Sequence, residues 1–186
     1  MDLPDAKSDF IIKELIMLKK TAFFYILLIL IILYSCKKTY ETVPGNIVIN
    51  ELMPVNITTV TDQDGEYDDW IELHNLSNVE FDLSGYFLSD SKKDLLKWKI
   101  PPGTTIGANG YAIVWADKDT TQTGLHANFK LSSLGEEVLL TMPDGTNTDK
   151  VTYPEQTLEL SYSRVPDGIG TFKWQAPTFG KSNDTK

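Results

Sequence analysis

The chain has 186 residues, a formal charge of −9 at pH 7 and one cysteine. That length suits one ordinary domain with an appendage, and a lone cysteine excludes both an intrachain disulfide and a cysteine-built metal site. The acidity is downstream: Met1 to Ser35 holds four Lys and four acids, so the remainder carries 13 Lys plus Arg against 22 acids, a surface that argues against nucleic acid as a partner.

Lys19 and Lys20 precede an apolar run from Ala22 to Tyr34, which ends at Ser35-Cys36-Lys37-Lys38. A basic region and about a dozen apolar residues make a secretory signal peptide, and the run falls short of the roughly 20 residues that a bilayer span needs. Leu33-Tyr34-Ser35-Cys36 resembles the lipobox of bacterial lipoproteins, in which Cys36 would be acylated and become the new amino terminus. Tyr34 departs from the usual small or branched residue there, a looseness that lipoproteins of the Bacteroidetes type share. Met1 to Ile16 adds four acids to a region that is normally short and basic, so translation is expected to start at Met17. The expected organisation is a signal peptide over 1–36, a tether over 37–45 and one domain over 46–183. Lipid on Cys36 would hold the protein to a membrane and leave the domain in an aqueous envelope space. Lys37-Lys38 is not the acidic cluster that resembles a surface-export signal, which favours the periplasmic side.

Asn46-Ile-Val-Ile-Asn-Glu-Leu-Met-Pro54 reads as a strand rich in branched residues, stopped by proline. Asn56 to Asp68 is polar and turn-rich, a long loop. Asp68 to Asp90 reads as a half-buried strand, an Asn and Ser turn over Asn75–Asn78, and a second strand restarted by Gly85 before Tyr86, Phe87 and Leu88. In the first strand Ile71 and Leu73 share one face, while Trp70, Glu72 and His74 share the other. Lys97 to Ile100 is a short strand before Pro101-Pro102-Gly103. Asn109-Gly110 is a tight turn, and Tyr111 to Ala116 is a nearly continuous apolar strand expected at the centre of a sheet. Glu137 to Met142 pairs through Pro143-Asp144-Gly145 with Lys150 to Tyr153, and Ser161 to Val165 reads as the last strand. With turns every eight to twelve residues and no sustained helical period after Pro44, the fold class is all-β, an antiparallel β-sandwich.

These segments also carry a resemblance. Ile47-Val-Ile-Asn-Glu-Leu-Met, Trp70-Ile-Glu-Leu-His-Asn, Val79-Glu-Phe-Asp-Leu-Ser-Gly-Tyr-Phe-Leu-Ser-Asp, Ile100-Pro-Pro-Gly, Gly110-Tyr-Ala-Ile-Val-Trp, Gly135-Glu-Glu-Val-Leu-Leu, Ser161-Tyr-Ser-Arg and Pro177-Thr-Phe-Gly follow the motif order of the lamin-tail domain. The resemblance runs from about Asn46 to Asn183 and implies an immunoglobulin-like sandwich; Phe179 departs from the family's usual second proline. It does not imply lamin function, because no coiled-coil rod, nuclear signal or prenylation box accompanies it.

Four sets of residues suggest chemistry. Asp62, Asp64 and Asp68 stand in an acid-rich loop around Gly65, and oxygen ligands at alternating positions suit calcium, although the spacing falls short of an EF-hand and a solvated loop is the plainer reading. Glu51 and Glu72 occupy matching places in two motifs and are expected to face each other across strands, as a catalytic pair only if a cleft and shifted pKa values accompany them. Arg164, the one arginine beside 16 lysines, is expected to clamp Glu51 or Glu72 with its bidentate fork. Trp70 and Trp98 offer a face for sugar stacking, if exposed. His74 and His126 read as ordinary strand or loop residues, and no nucleophile elbow, phosphate loop or Cys-His pair appears. The expectation is a non-catalytic envelope module without a cofactor that binds a protein or glycan. The alternatives are an envelope hydrolase using Glu51 and Glu72, and a calcium-dependent carbohydrate-binding module.

Overall fold

The computed structural model describes residues 17–21, 23, 25 and 46–184. Cys36 and the tether over 37–45 lie outside the described residues. The chain divides into two units, Met1–Thr39 and Tyr40–Lys186. Of the first, residues 17–21 are helical, with the Thr21 hydroxyl donating to the Met17 carbonyl at 2.8 Å. Among the described residues no helix is long and apolar enough to cross a membrane.

The second unit is built from strands: β1 (Ile47–Met53), β2 (Trp70–Asn75), β3 (Phe81–Asp82), β4 (Phe87–Ser89), β5 (Trp98–Lys99), β6 (Thr105–Ile106), β7 (Tyr111–Ala116), β8 (His126–Ala127), β9 (Glu136–Thr141), β10 (Asn147–Tyr153), β11 (Ser161–Val165) and β12 (Thr171–Gln175). They form a six-stranded sheet in the order β12-β11-β1-β2-β7-β8, a four-stranded sheet β10-β9-β4-β5 and a small β3-β6 pair. Pairing is antiparallel except between β7 and the two-residue β8. Period-two alternation sends Ile47, Ile49, Leu52, Ile71, Leu73 and Val114 into one core with Leu88, Val138, Leu140 and Val151 of the other sheet. Each such side chain, fully buried, contributes roughly 1.5–3 kcal/mol of transfer free energy.

Three differences from the sequence reading bear on the site. The segment from Asp68 to Asp90 is not one hairpin, because β2, β3 and β4 enter three different sheets. Strand β2 is buried at all six positions rather than half-buried. And β7 is not at the sheet's centre, since β1 and β2 hold that place. The apolar continuity of β7 has another cause: Val114 faces the main core, while Ile113 and Trp115 join Met53, Trp70, Val60 and Phe179 in a second cluster on the sheet's outer face. What covers that face is the carboxyl-terminal segment, reached through β12, a strand that follows the one expected to be last.

Candidate functional site

Two groups of buried carboxylates flank the six-stranded sheet. The first lies on its outer face. The antiparallel register sets Glu51 opposite Glu72, as expected from the sequence, with a bulge between Ile49 and Glu51 that inserts Asn50. Glu51 Oε1 accepts from the hydroxyls of Ser161 and Ser163, the latter at 3.0 Å, and from the Thr178 amide at 3.0 Å. Its Oε2 accepts from the Thr178 hydroxyl at 2.7 Å and the Phe179 amide at 3.3 Å. Glu72 accepts from Asn50 Nδ2 at 2.8 Å and the Gly180 amide at 2.6 Å. Burial pushes the Glu72 carboxyl up to about 8 against the Asn50 bond that opposes it, and neighbouring Glu51 adds to the rise. Together the two acids hold the segment Thr178–Gly180 against the strands.

The turn after β11 completes this network. Asp167 accepts from Asn50 Nδ2 at 2.9 Å, from the Asn183 amide at 3.0 Å and from the Tyr111 hydroxyl at 2.6 Å. His74 stacks on Tyr111 with ring centroids 4.3 Å apart, and its Nδ1 lies 3.6 Å from Asp167 Oδ2. Burial lowers the His74 pKa against the pull of Asp167. Gly168 makes the approach possible: its φ is +69°, and a Cβ there would stand 2.4 Å from Leu76 Cδ2 and 3.0 Å from His74 Nδ1.

Two sequence expectations are corrected here. Arg164 does not clamp Glu51 or Glu72. Register pairs Glu51 with Ser163, so the adjacent Arg164 points to the opposite face of the sheet. There its Nη2 reaches both oxygens of Asp149 at 2.8 Å, its Nε donates to the Ile49 carbonyl at 2.8 Å, and its guanidinium lies 4.6 Å from the Phe172 ring centroid. Trp70 and Trp98 offer no stacking face either, being 0% and 8% exposed. Trp70 lies edge-on to Phe179 at 5.2 Å beneath the carboxyl-terminal segment, and Trp98 is part of the main core.

The second group forms at the end of the sheet, where the loop before β2 meets the residues that follow β7 and open β8. Asp62 closes a tight turn: its Oδ1 accepts from the amides of Asp64 and Glu66, both at 2.9 Å, and Gly65 takes φ +87°. Asp64 is exposed, and the acids that converge are Asp62, Glu66 and Asp68. Asp62 also lies with Asp117 and His126, one ligand atom from each within 4.8 Å of the others and all three residues buried. Asp117 Oδ2 is 2.5 Å from His126 Nδ1, while its Oδ1 accepts from the Asp119 amide at 2.8 Å. On the far side of the ring, His126 Nε2 has the Gln63 amide at 2.7 Å and the Thr123 carbonyl at 3.2 Å. His126, read from the sequence as an ordinary strand or loop residue, opens β8 in contact with an acid nine residues earlier in the chain. Asp117, ending an apolar strand with an acid, was the available signal.

An all-β immunoglobulin-like sandwich, with one face of its larger sheet held under its own carboxyl-terminal segment, defines the class of this protein. Residues 41–155, more than half of the chain, match the model of the Lamin Tail Domain, and the chain belongs to that family. No curated protein matches it. Strands β11 and β12 and the covering segment follow the matched residues, yet β11 pairs directly with β1 in the same sheet.

Proposed function

We propose that this domain is a non-catalytic binding module, an adaptor presented in a bacterial cell envelope by acyl chains on Cys36, with an envelope protein as its ligand. The observation that carries the reading is the use made of Glu51 and Glu72. A hydrolytic pair needs a free carboxylate beside space for substrate and water. Here their oxygens accept from Ser161, Ser163, Thr178, Phe179, Gly180 and Asn50, all donors of the chain itself. The burial of Trp70 and Trp98 takes away the stacking face read for a glycan from the sequence, which supports a protein over a glycan. Ile57 and Leu158 are exposed on two loops joined through the Glu159 carboxylate, which accepts from the Ile57 amide at 3.0 Å, and such apolar loop positions suit a protein partner.

The test is cross-linked recovery from native envelopes of the full-length chain beside a Cys36→Ala form. One dominant protein in near-equal amount, enriched with the anchored form and rebinding the purified chain, is the expected result. A folded, anchored chain that recovers no partner overturns the adaptor reading. So does purified protein that cleaves an envelope polymer and stops doing so when Glu51 is changed to Gln.

A further inference from the structure

Asp62 is 7% exposed, and its Oδ2 has no hydrogen-bond partner and no contact with solvent. A buried carboxylate oxygen without a donor or cation is costly, about 1–3 kcal/mol for a neutral polar group and more for a charged one. The surroundings make it worse. Asp117 and His126 are 7% and 3% exposed, and Glu66 and Asp68 form a second group of acids with Asp62. Lys130 Nζ stands 3.8 Å from Asp68 Oδ1, but its side chain is 56% exposed, so it screens little.

We propose that Asp62, Asp117 and His126 form a binding site for a divalent transition ion of the zinc or manganese kind, with Asp68 and Glu66 on its open side. The site goes beyond the adaptor reading and stands or falls without it. The arrangement is built in the way metal sites are built. Asp62 is fixed through Oδ1 by two backbone amides and leaves Oδ2 unpartnered, while Asp117 is held through Oδ1 by the Asp119 amide and turns Oδ2 to His126 Nδ1. The His126 ring is fixed from its Nε2 side by Gln63 and the Thr123 carbonyl, an outer-shell restraint of the sort that orients ligating imidazoles. Gly124 takes φ +119°, a conformation that residues with a side chain rarely adopt, and so sets the backbone beside the His126 ring.

The imidazole decides the class of ion. Calcium and magnesium take oxygen ligands, whereas zinc and manganese accept mixed nitrogen and carboxylate sets. The proposed set shares Asp62 with the Asp62-Asp64-Asp68 set read from the sequence and differs from it in the other ligands and in the metal. A ligating ring nitrogen must present a lone pair to the ion, so His126 and Asp117 would exchange their mutual contact for bonds to the metal. The 2.5 Å contact then opens to about 3 Å, as metal bonds of about 2.0–2.1 Å from each side require.

The experiment uses the full-length chain, stripped with a chelator, then titrated with zinc, manganese and calcium while bound metal and melting temperature are measured. One equivalent of zinc or manganese and a rise of about 5 °C or more at saturating ion are expected, with calcium giving far less. Asp62→Asn, which keeps shape and turn, abolishes both; Asp64→Ala changes neither. No stoichiometric zinc or manganese, a response to calcium alone, or equal binding by Asp62→Asn overturns the proposal. If Asp62→Asn fails to fold, His126→Gln replaces it, with the same loss expected.

Discussion

Two clusters of buried acid lie against the same sheet and solve the same problem in opposite ways. On the outer face, Glu51 and Glu72 are surrounded by donors from β11 and the carboxyl-terminal segment. At the sheet's end, Asp62 keeps one buried oxygen with no donor. For its two glutamates the first arrangement is complete within the chain and reads as structure, an acid pair that fastens a segment with no regular hydrogen-bonding pattern of its own. The second is incomplete and reads as a site. Burial alone does not tell the two apart; the count of partners does.

The largest expected effect tests the completeness of the first cluster. Glu51→Ala removes the acceptor shared by the hydroxyls of Ser161, Ser163 and Thr178 and by two backbone amides, of which the hydroxyls keep other partners. A loss of at least about 3 kcal/mol is expected, because each abandoned buried donor costs about 1–3 kcal/mol and the losses overlap. Urea unfolding measures it, and limited proteolysis should cut near Thr178 before the sheet unfolds. A variant that keeps wild-type stability and a protected segment would show that the fastening is done elsewhere. Next is Phe179→Ala, which uncovers Trp70 and Trp115, whose rings lie 5.2 and 5.6 Å from it. Because Phe179 is itself half-buried, the loss should be about 1–3 kcal/mol, accompanied by red-shifted tryptophan fluorescence.

A smaller effect separates the two faces of the sheet. A double-mutant cycle between Arg164→Lys and Asp149→Asn should give a coupling of about 1–2 kcal/mol, since a lysine cannot reproduce the fork. The same cycle with Glu72 should give none, because the two side chains are on opposite faces. Coupling to Glu72 in place of Asp149 would reverse that assignment.

How much of this was legible follows from where each signal resides. Alternation within a strand is a local property, so the faces of β2 and the Glu51–Glu72 pairing could be read from the chain. Alternation also held the answer for Arg164: one residue from Ser163, it belongs to the other face, but the register of β1 on β11 was needed to see it. Its true partner, Asp149, lies on a strand of the other sheet, and no spacing encodes which strands of two sheets come close. The burial of Trp70 depends on Phe179, more than a hundred residues later, in a segment without periodicity. Strand β12 did carry a signal, with Phe172 and Trp174 alternating against Thr171, Lys173 and Gln175. The acidic loop was visible, but Asp117 and His126 reach it only through the parallel β7–β8 contact.

The smallest and most specific effect is in the pH dependence of stability. Glu72 has its carboxyl raised from 4.5 to about 8, chiefly by burial. Between those values the folded state holds a proton that the unfolded state has released, so stability is full below about pH 4.5 and falls as the pH rises through about 8. His74 acts in the other direction. Its pKa is lowered from 6.5 by burial, so the unfolded state takes up a proton more readily, and stability is lost as the pH falls below 6.5. The two slopes overlap between about pH 4.5 and 6.5 and partly cancel there. Above 6.5 the His74 slope is gone and that of Asp69, raised to about 7, ends near 7, so a decline in unfolding free energy that continues between about pH 7 and 8 is the Glu72 signature. Glu72→Gln removes the titrating group and should flatten that interval, whatever its offset in absolute stability. A variant that keeps the wild-type decline would assign it to another group.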